Sequence, residues 1–300
     1  MNEPRKKVTV RTLQQMKAQG KKIAALGVYD SPMAAIADAI GFEILMIGNS
    51  GPMSLLGYQN STTIRREDLL YMTRAVTRVT KFALVVATMP YMSYLISKEE
   101  GIRTAAWLVS EGNTECVQCH ADRSSADKIE AIVRAGVPVL AHLGLQSVRK
   151  VEQSGFGVQG KTADLAAQIV ADAVALADAG VFAVLLELVP AEIIQYLRQR
   201  LKIPVLSLGS GPGADGIYQV SADVVGFSVF PKPRTAGQFA NVHSDMEVGL
   251  KRFFHDVVSG AFPQQADRRL MLKDEYARLR KLLRGKPTSQ VGRRGRRREG

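Results

Sequence analysis

The runs VPVLAHLG (137–144), FAVLLELVP (182–190) and IPVLSLGSG (203–211) each join a few aliphatic residues to a glycine or proline turn. Runs of the same form precede them, AALGVYD (24–30), ILMIGNS (44–50), ALVVATMP (83–90) and ECVQCHAD (115–122), and ADVVGFSVFPKP (222–233) follows. Short β-branched runs separated by helical segments are typical of parallel strands joined by crossover helices. Eight such runs predict a (β/α)8 barrel, a fold of about 250 residues.

A doubly wound open sheet is the alternative fold. No G-x-G-x-x-G follows the first run and no G-x-x-x-x-G-K-[ST] occurs anywhere, which argues against it. The glycine-rich LGSGPGADG (208–216) is expected between a strand and a helix. Its backbone N–H groups are candidates to bind a phosphate or carboxylate, although turn geometry alone also explains these glycines.

Helical segments are predicted between the strands. The first is expected to have Thr12 as its N-cap and to stop at Gly20, and Gly112, Gly136 and Gly180 occupy expected helix C-caps. The other predicted helices are MAAIADAIG (33–41), LLYMTRAVTRVT (69–80), SKEEGIRTAAWLVSEG (97–112), SADKIEAIVRAG (125–136), TADLAAQIVADAVALADAG (162–180), PAEIIQYLRQRL (190–201) and HSDMEVGLKRFFHDVVSG (243–260).

Composition predicts one large barrel domain over residues 1–266, followed by a basic extension over 267–300. The extension holds thirteen Lys or Arg against four Asp or Glu, and its end GRRGRRREG is expected to be disordered. No aromatic residues alternate with these arginines, so specific nucleic-acid binding is not expected beyond weak electrostatic attraction. No run is long enough to span a membrane, and two cysteines are too few for a disulfide framework, so a cytoplasmic protein is predicted.

Polar residues at the carboxyl ends of the strands are the candidate site, because parallel barrels carry their chemistry there. Alternation along ECVQCHAD places Cys116, Gln118 and His120 on one face and Cys119 on the other, which disfavours zinc binding by the two thiols. Gln118 and His120 are therefore predicted to face the barrel interior together.

Glu187 is the candidate catalytic base. It lies among aliphatic residues in VLLELVP, where desolvation raises a carboxyl pKa and makes it a better proton acceptor near neutral pH. His120 and His142, on the two preceding strands, are predicted to converge with it, either as hydrogen-bonded groups or as a two-histidine, one-carboxylate metal site. Asp30 is expected to orient a ligand or to cap the following helix.

Eight segments occur in an order and spacing that is specific for one family: GVYD (27–30), IGNSGPMSLLGYQNSTT (47–63), MPYM (89–92), HLGLQS (142–147), GVQGKT (157–162), VLLELVPAE (184–192), LGSGPGADG (208–216) and PKPRTAGQF (231–239). Through them the chain, from about residue 9 to about residue 263, resembles ketopantoate hydroxymethyltransferase (3-methyl-2-oxobutanoate hydroxymethyltransferase). The resemblance implies a TIM barrel of the phosphoenolpyruvate mutase/isocitrate lyase type and a homo-oligomer, often a decamer.

The resemblance also implies a reaction. In this family a hydroxymethyl group passes from 5,10-methylenetetrahydrofolate to the enolate of 3-methyl-2-oxobutanoate, a small 2-oxo acid, in pantothenate biosynthesis. A Mg²⁺ ion chelated by the oxo acid makes the neighbouring C–H acidic. Glu187 matches the family's base, and Ser50 matches the substrate-contacting serine of its G-D-S motif.

Four positions depart from the family pattern. Asn49 and Thr88 stand where the family has its two metal aspartates, and Gln118 and His120 replace the lysine and glutamate of its K-x-E motif. Amide and hydroxyl groups do not supply the anionic oxygens that Mg²⁺ prefers, so the sequence argues against the family's metal site. These four residues, with Ser50 and His142, are the predicted substrate-binding set.

Three functions follow from this pattern. The first is hydroxymethyl transfer with a rearranged site, in which Glu187 is retained as the base. The second is magnesium-independent aldol addition or cleavage on another small 2-oxo compound, which coordinated replacement at four positions favours. The third is a non-catalytic binding or regulatory subunit, against which the retained buried acid argues.

Overall fold

Eight parallel strands close into a barrel in the computed structural model, which describes residues 5–284. Each strand pairs with the next along the chain and β8 pairs with β1, which confirms the predicted (β/α)8 architecture. The strands are β1 Ile23–Gly27, β2 Ile44–Ile47, β3 Leu84–Thr88, β4 Cys116–His120, β5 Val139–Gly144, β6 Ala183–Glu187, β7 Val205–Leu208 and β8 Gly216–Val220.

The helices begin at residues that satisfy their free N–H groups. Thr9, Asp30, Ser97 and Thr162 each accept a backbone N–H bond in the first turn of α1, α2, α5 and α7. The α-helices are α1 Val10–Ala18, α2 Ser31–Ile40, α3 Ser50–Leu56, α4 Arg66–Thr77, α5 Lys98–Gly112, α6 Ala126–Arg134, α7 Ala163–Asp178, α8 Ala191–Arg200, α9 Ser221–Val224, α10 Val242–Ser259 and α11 Glu275–Arg284.

Strand alternation divides the buried residues into an inner and an outer set. Val86, Cys116, Leu140 and Leu185 pack together inside the barrel, whereas the helix-facing layer contains Cys119 and its neighbours. The predicted separation of the two cysteines onto opposite faces is therefore confirmed. By the same alternation, the polar residues at the ends of β3 to β6 lie on the inner face.

The eighth strand is not where the sequence pattern placed it. GIYQV (216–220) forms β8, whereas ADVVGFSVFPKP (222–233) contributes most of the short α9 and the loop after it. LGSGPGADG (208–216) consequently joins two strands directly, so the helix N-terminus expected after it is absent from this part of the described chain. The sequence pattern favoured ADVVGFSVFPKP because this run is longer and more apolar than GIYQV.

Two helix ends also differ from the prediction. Helix α1 is capped by Thr9 and not by Thr12, because the two threonines form a reciprocal capping box in which Thr12 is the third helical residue. Gly112 is the last residue of α5, and Asn113 takes the left-handed conformation that ends it. Gly136 and Gly180 do adopt positive φ just beyond α6 and α7, as expected.

The chain divides into two compact units, the first ending at His243 and the second beginning at Ser244. The second unit contains most of α10, and also α11, and α10 buries none of its residues. Its apolar side chains include Phe253 and Phe254, which are more than half exposed. The boundary predicted after residue 266 stays a prediction, and the arginine-rich end of the tail lies outside the described residues. Within residues 5–284, no helix is both long and apolar enough to cross a membrane.

Gly216→Ala tests the position of β8. A Cβ at residue 216 would lie 2.4 Å from the Ile23 carbonyl oxygen and 2.7 Å from the Leu206 side chain. We expect this overpacking to destabilise the barrel by about 1–3 kcal/mol, measured by thermal unfolding. Gly249→Ala is the control, because a Cβ there meets open space on α10 and should be neutral or stabilising. Equal melting temperatures for Gly216→Ala and Gly249→Ala would contradict the assignment of β8.

Candidate active site

Four neighbouring strands bring five polar residues to the inner face near their carboxyl ends. Thr88 ends β3, Gln118 and His120 lie on β4, His142 lies on β5 and Glu187 ends β6. The strand register pairs Thr88 with Gln118, His120 with His142, and Gly144 with Glu187. The predicted convergence of His120, His142 and Glu187 on this part of the barrel is therefore what the structure shows.

A line of hydrogen bonds connects three of these side chains. The Thr88 hydroxyl donates to the Gln118 amide oxygen, and the Gln118 amide nitrogen lies 2.5 Å from His142 Nδ1. Thr88, Gln118 and His142 are each at least 96% buried. Turning the His142 ring would break its hydrogen bond with Gln118 and leave buried polar groups unpaired, which costs free energy. This line therefore fixes the orientation of the His142 ring.

The His142 ring also lies against Glu187 and His120. Its Nε2 is 2.9 Å from Glu187 Oε2, but the ring N–H direction does not meet that oxygen, so the contact is a close approach and not a hydrogen bond. The His120 and His142 rings stack with centroids 4.3 Å apart. Within residues 5–284, both His142 Nε2 and His120 Nδ1 are buried without a hydrogen-bond partner.

Burial sets the charge states of this cluster. Desolvation raises the pKa of Glu187 to about 8, although its side chain keeps 21% exposure. Desolvation lowers the pKa of His142 to about 4, and it lowers the pKa of His120 well below its ordinary value with help from His142. At neutral pH both imidazoles are therefore uncharged, while Glu187 titrates close to neutrality.

Three hydroxyl groups form a second polar cluster inside the barrel. The Tyr29 hydroxyl hydrogen-bonds to Ser50, and the Tyr29 and Tyr218 hydroxyls meet beside Gly27, where a Cβ would lie within 2.6 Å of both. Burial, with a smaller contribution from the Glu187 carboxylate, raises the pKa of Tyr218 to about 12. Burial also raises the pKa of Tyr29, so both tyrosines stay protonated, and Tyr218 lies near Glu187.

The sequence analysis missed both tyrosines. Tyr29 directly precedes Asp30 in GVYD and was passed over in favour of the carboxylate. Asp30 proves to cap α2 by accepting from the Met33 N–H. Tyr218 was missed because its strand was misplaced, and assigning β8 to GIYQV would have put it on the inner face.

Asn49 and Thr88 do not build a magnesium site. Asn49 precedes α3 with its side chain buried and makes no capping bond, and Thr88 uses its hydroxyl proton on Gln118. Both offer neutral oxygens only, whereas Mg²⁺ is usually held by at least one carboxylate. In the described part of the chain, no group of three His, Cys, Asp or Glu side chains could hold a metal ion. The two-histidine, one-carboxylate metal site is likewise not formed.

A cavity of about 650 Å³ opens beside His120. Tyr91 and Met92 from the loop after β3 line it, together with Gln146 and Arg149 from the loop after β5. Neither Glu187 nor His142 is among its lining residues. The cavity is large enough for a ligand much bigger than a small oxo acid, and of the two histidines it reaches His120.

The amino-acid sequence that forms this site matches a known protein family. A family model described as ketopantoate hydroxymethyltransferase matches residues 7–265. The chain belongs to the ketopantoate hydroxymethyltransferase family. A 3-methyl-2-oxobutanoate hydroxymethyltransferase of Alkalilimnicola ehrlichii is 38% identical over 264 residues, covering 88% of this chain and 95% of the relative. One of Thermoanaerobacter sp. is 36% identical over 259 residues, covering 86% and 94%.

Solved structures share the fold of this ketopantoate hydroxymethyltransferase family member. A phosphonopyruvate hydrolase in complex with oxalate and Mg²⁺ has a TM-score of 0.57 at 14% identity, covering 93% of this chain and 96% of its own. A 2,3-dimethylmalate lyase, a phosphoenolpyruvate mutase/isocitrate lyase superfamily member, has a TM-score of 0.55 at 16% identity, covering 91% and 98%. These likenesses show the same barrel fold.

Glu187→Gln should remove a pH dependence from the stability of the barrel. The folded state binds the Glu187 proton more tightly than the unfolded state, whose pKa is near 4.5. The resulting stabilisation is complete below pH 4.5 and is lost as pH rises through 8. Both buried histidines are neutral between pH 6.5 and 9. Over this range the free energy of unfolding of the wild type should fall by about 2 kcal/mol more than that of Glu187→Gln.

Urea unfolding at each pH measures this difference. Glu192→Gln, which removes an exposed carboxylate on α8, is the matched control and should keep the wild-type slope. Identical pH slopes for wild type and Glu187→Gln would show that Glu187 is not desolvated.

Proposed function

We propose that this protein transfers a hydroxymethyl group from 5,10-methylenetetrahydrofolate to 3-methyl-2-oxobutanoate. The observation that carries the proposal is the desolvated Glu187 carboxyl group, held beside a neutral histidine at the carboxyl end of β6. A carboxyl group with a pKa near 8 is a stronger base than an exposed one and is still partly ionised at neutral pH. The names of the curated relatives support the oxo acid and the hydroxymethyl transfer, and the folate co-substrate rests on the family resemblance.

Glu187 acts first as the base. Its carboxylate accepts the proton from the carbon next to the ketone, and the resulting enolate attacks the one-carbon unit. Ser50 and Asn49 are proposed substrate contacts because they border the same inner face, whereas the Gln118 amide is engaged by Thr88 and His142. His120 links this face to the 650 Å³ cavity, in which we place the folate co-substrate.

Product formation tests the function. Wild-type protein incubated with both substrates should produce the hydroxymethylated oxo acid, followed by mass spectrometry, with kcat/KM rising as pH passes 8. Glu187→Gln should lower the rate by about 10²–10⁴-fold, the usual contribution of a general base. Glu192→Gln should retain the wild-type rate. Wild-type protein that makes no product, with or without added Mg²⁺, would contradict the proposal.

We also propose that the protein is a cytoplasmic homo-oligomer. The exposed apolar side chains of α10 support self-association, since contiguous exposed apolar surface marks protein contacts. Light scattering during size-exclusion chromatography should give a mass several times that of one chain, and Phe254→Ser should reduce it. Arg252→Ser, an exposed polar change on the same helix, should not. A wild-type monomer at micromolar concentration would contradict self-association.

A further inference from the structure

The unpartnered Nε2 of His142 is the feature that the proposed function leaves unexplained. A buried nitrogen without a hydrogen bond costs free energy, so native proteins rarely keep one unless a ligand, an ordered water or an ion pairs with it or the group has a catalytic role. His142 is 96% buried, and nothing else within residues 5–284 bonds to this nitrogen. Its neighbour is Glu187 Oε2, 2.9 Å away, so a ligand reaching this nitrogen also reaches the proposed base.

The contacts on the other side of the ring determine which nitrogen carries the proton. The Thr88 hydroxyl has one hydrogen-bond partner among the described residues, the Gln118 amide oxygen, and it must donate to it. The Gln118 NH₂ group then faces His142 Nδ1, and that nitrogen must accept. The single proton of the neutral ring therefore lies on Nε2.

Glu187 cannot use this proton well in the present geometry. A ring N–H points along a fixed direction in the ring plane, and Glu187 Oε2 lies off that direction in spite of its short distance. The N–H group remains free for a third atom. Burial keeps the ring uncharged, so it can donate a hydrogen bond to a developing negative charge without delivering its proton.

We propose that Thr88 and Gln118 hold His142 as its Nε2–H tautomer, and that this neutral N–H group, in place of a divalent cation, stabilises the substrate's enolate oxygen. The inference rests on the proposed function. Thr88 and Gln118 are positioning residues, and His142 is a catalytic residue alongside Glu187.

The step balances without a metal or an oxidant. Glu187 takes the C3 proton, the C3–H electron pair becomes the C2–C3 double bond, and the carbonyl π pair moves onto oxygen. The charge on that oxygen is met by the His142 N–H. In D₂O the reverse step returns a deuteron from Glu187 to C3, so the half-reaction exchanges C3 hydrogen without the folate co-substrate.

Two of the four residues that depart from the family pattern, Thr88 and Gln118, act together in this arrangement. A carboxylate at position 88 would offer no proton to Gln118, and a lysine at position 118 would put a cation beside the ring in place of a neutral amide donor. Thr88 and Gln118 suit a neutral ring. They are therefore consistent with a hydrogen bond replacing the metal.

Histidine ¹⁵N NMR tests the tautomer independently of activity. The chain has four histidines, and loss of one signal set in His142→Gln assigns His142. Wild type should show a protonated Nε2 and an unprotonated Nδ1 between pH 6 and 9. Gln118→Glu should move the proton to Nδ1, and Thr88→Val should give a mixture. Thr88→Ser should restore the wild-type pattern.

C3 deuterium exchange of 3-methyl-2-oxobutanoate, followed by proton NMR, tests the catalytic role. Wild type should exchange at the same rate in EDTA as in Mg²⁺. Loss of the oxyanion donor in Gln118→Glu should lower the rate about 10²–10³-fold. Thr88→Val should lower it about 3- to 10-fold. Cys119→Ala, a buried change on the helix-facing side of β4, should retain the wild-type rate.

The outcomes separate this inference from the proposed function. A wild-type Nδ1–H tautomer, or exchange abolished by EDTA and restored by Mg²⁺, would overturn the inference while leaving hydroxymethyl transfer standing. No exchange under either condition would overturn the proposed function and the role of His142 together. Normal exchange by Gln118→Glu, with its tautomer changed, would overturn the link between Gln118 and catalysis.

Discussion

Desolvation of Glu187 inside the closed barrel is the constraint from which the properties of the site follow. The strand alternation that fills the interior with aliphatic side chains also points this carboxyl group inward. No Lys or Arg stands at the strand ends to neutralise it. The fold therefore buries a carboxyl group whose ionisation is unfavourable there. This desolvation raises the pKa of Glu187 to about 8, a value that suits a catalytic base.

The groups around Glu187 are arranged to stay neutral. Burial lowers the pKa of both histidines and keeps them uncharged, and burial, with a smaller contribution from the Glu187 carboxylate, raises the pKa of Tyr218 and keeps it protonated. A site of neutral donors in a water-poor interior stabilises developing negative charge by fixed dipoles, which need no reorganisation during the reaction. Such a site differs in principle from one that gathers several charges around a cation.

The sequence predicted the barrel and most of the site because both depend on alternation. Gln118 and His120 share a face by spacing alone, and Glu187 is recognisable by its aliphatic neighbours. Contacts between strands could not be read in the same way. Whether Gln118 bonds to His142, and whether His142 meets Glu187 along a ring N–H, depends on register and rotamer. Tyr218 was not recognised because β8 was assigned to the longer and more apolar run that follows it.

The hydrogen-bond line makes two of the four altered positions, Thr88 and Gln118, energetically dependent on one another. Thr88 satisfies the oxygen of Gln118, and Gln118 satisfies Nδ1 of His142, so changing any one member leaves a buried group unpaired. A single reversion to aspartate at position 88 would add a buried charge without recreating the other metal ligand or the lysine. The neutral pair Thr88 and Gln118 and the family's aspartate and lysine at these positions are therefore alternative arrangements. A chain with one residue from each arrangement would carry unpaired buried polar groups. This coupling gives a physical reason for the residues at positions 88 and 118 to change together.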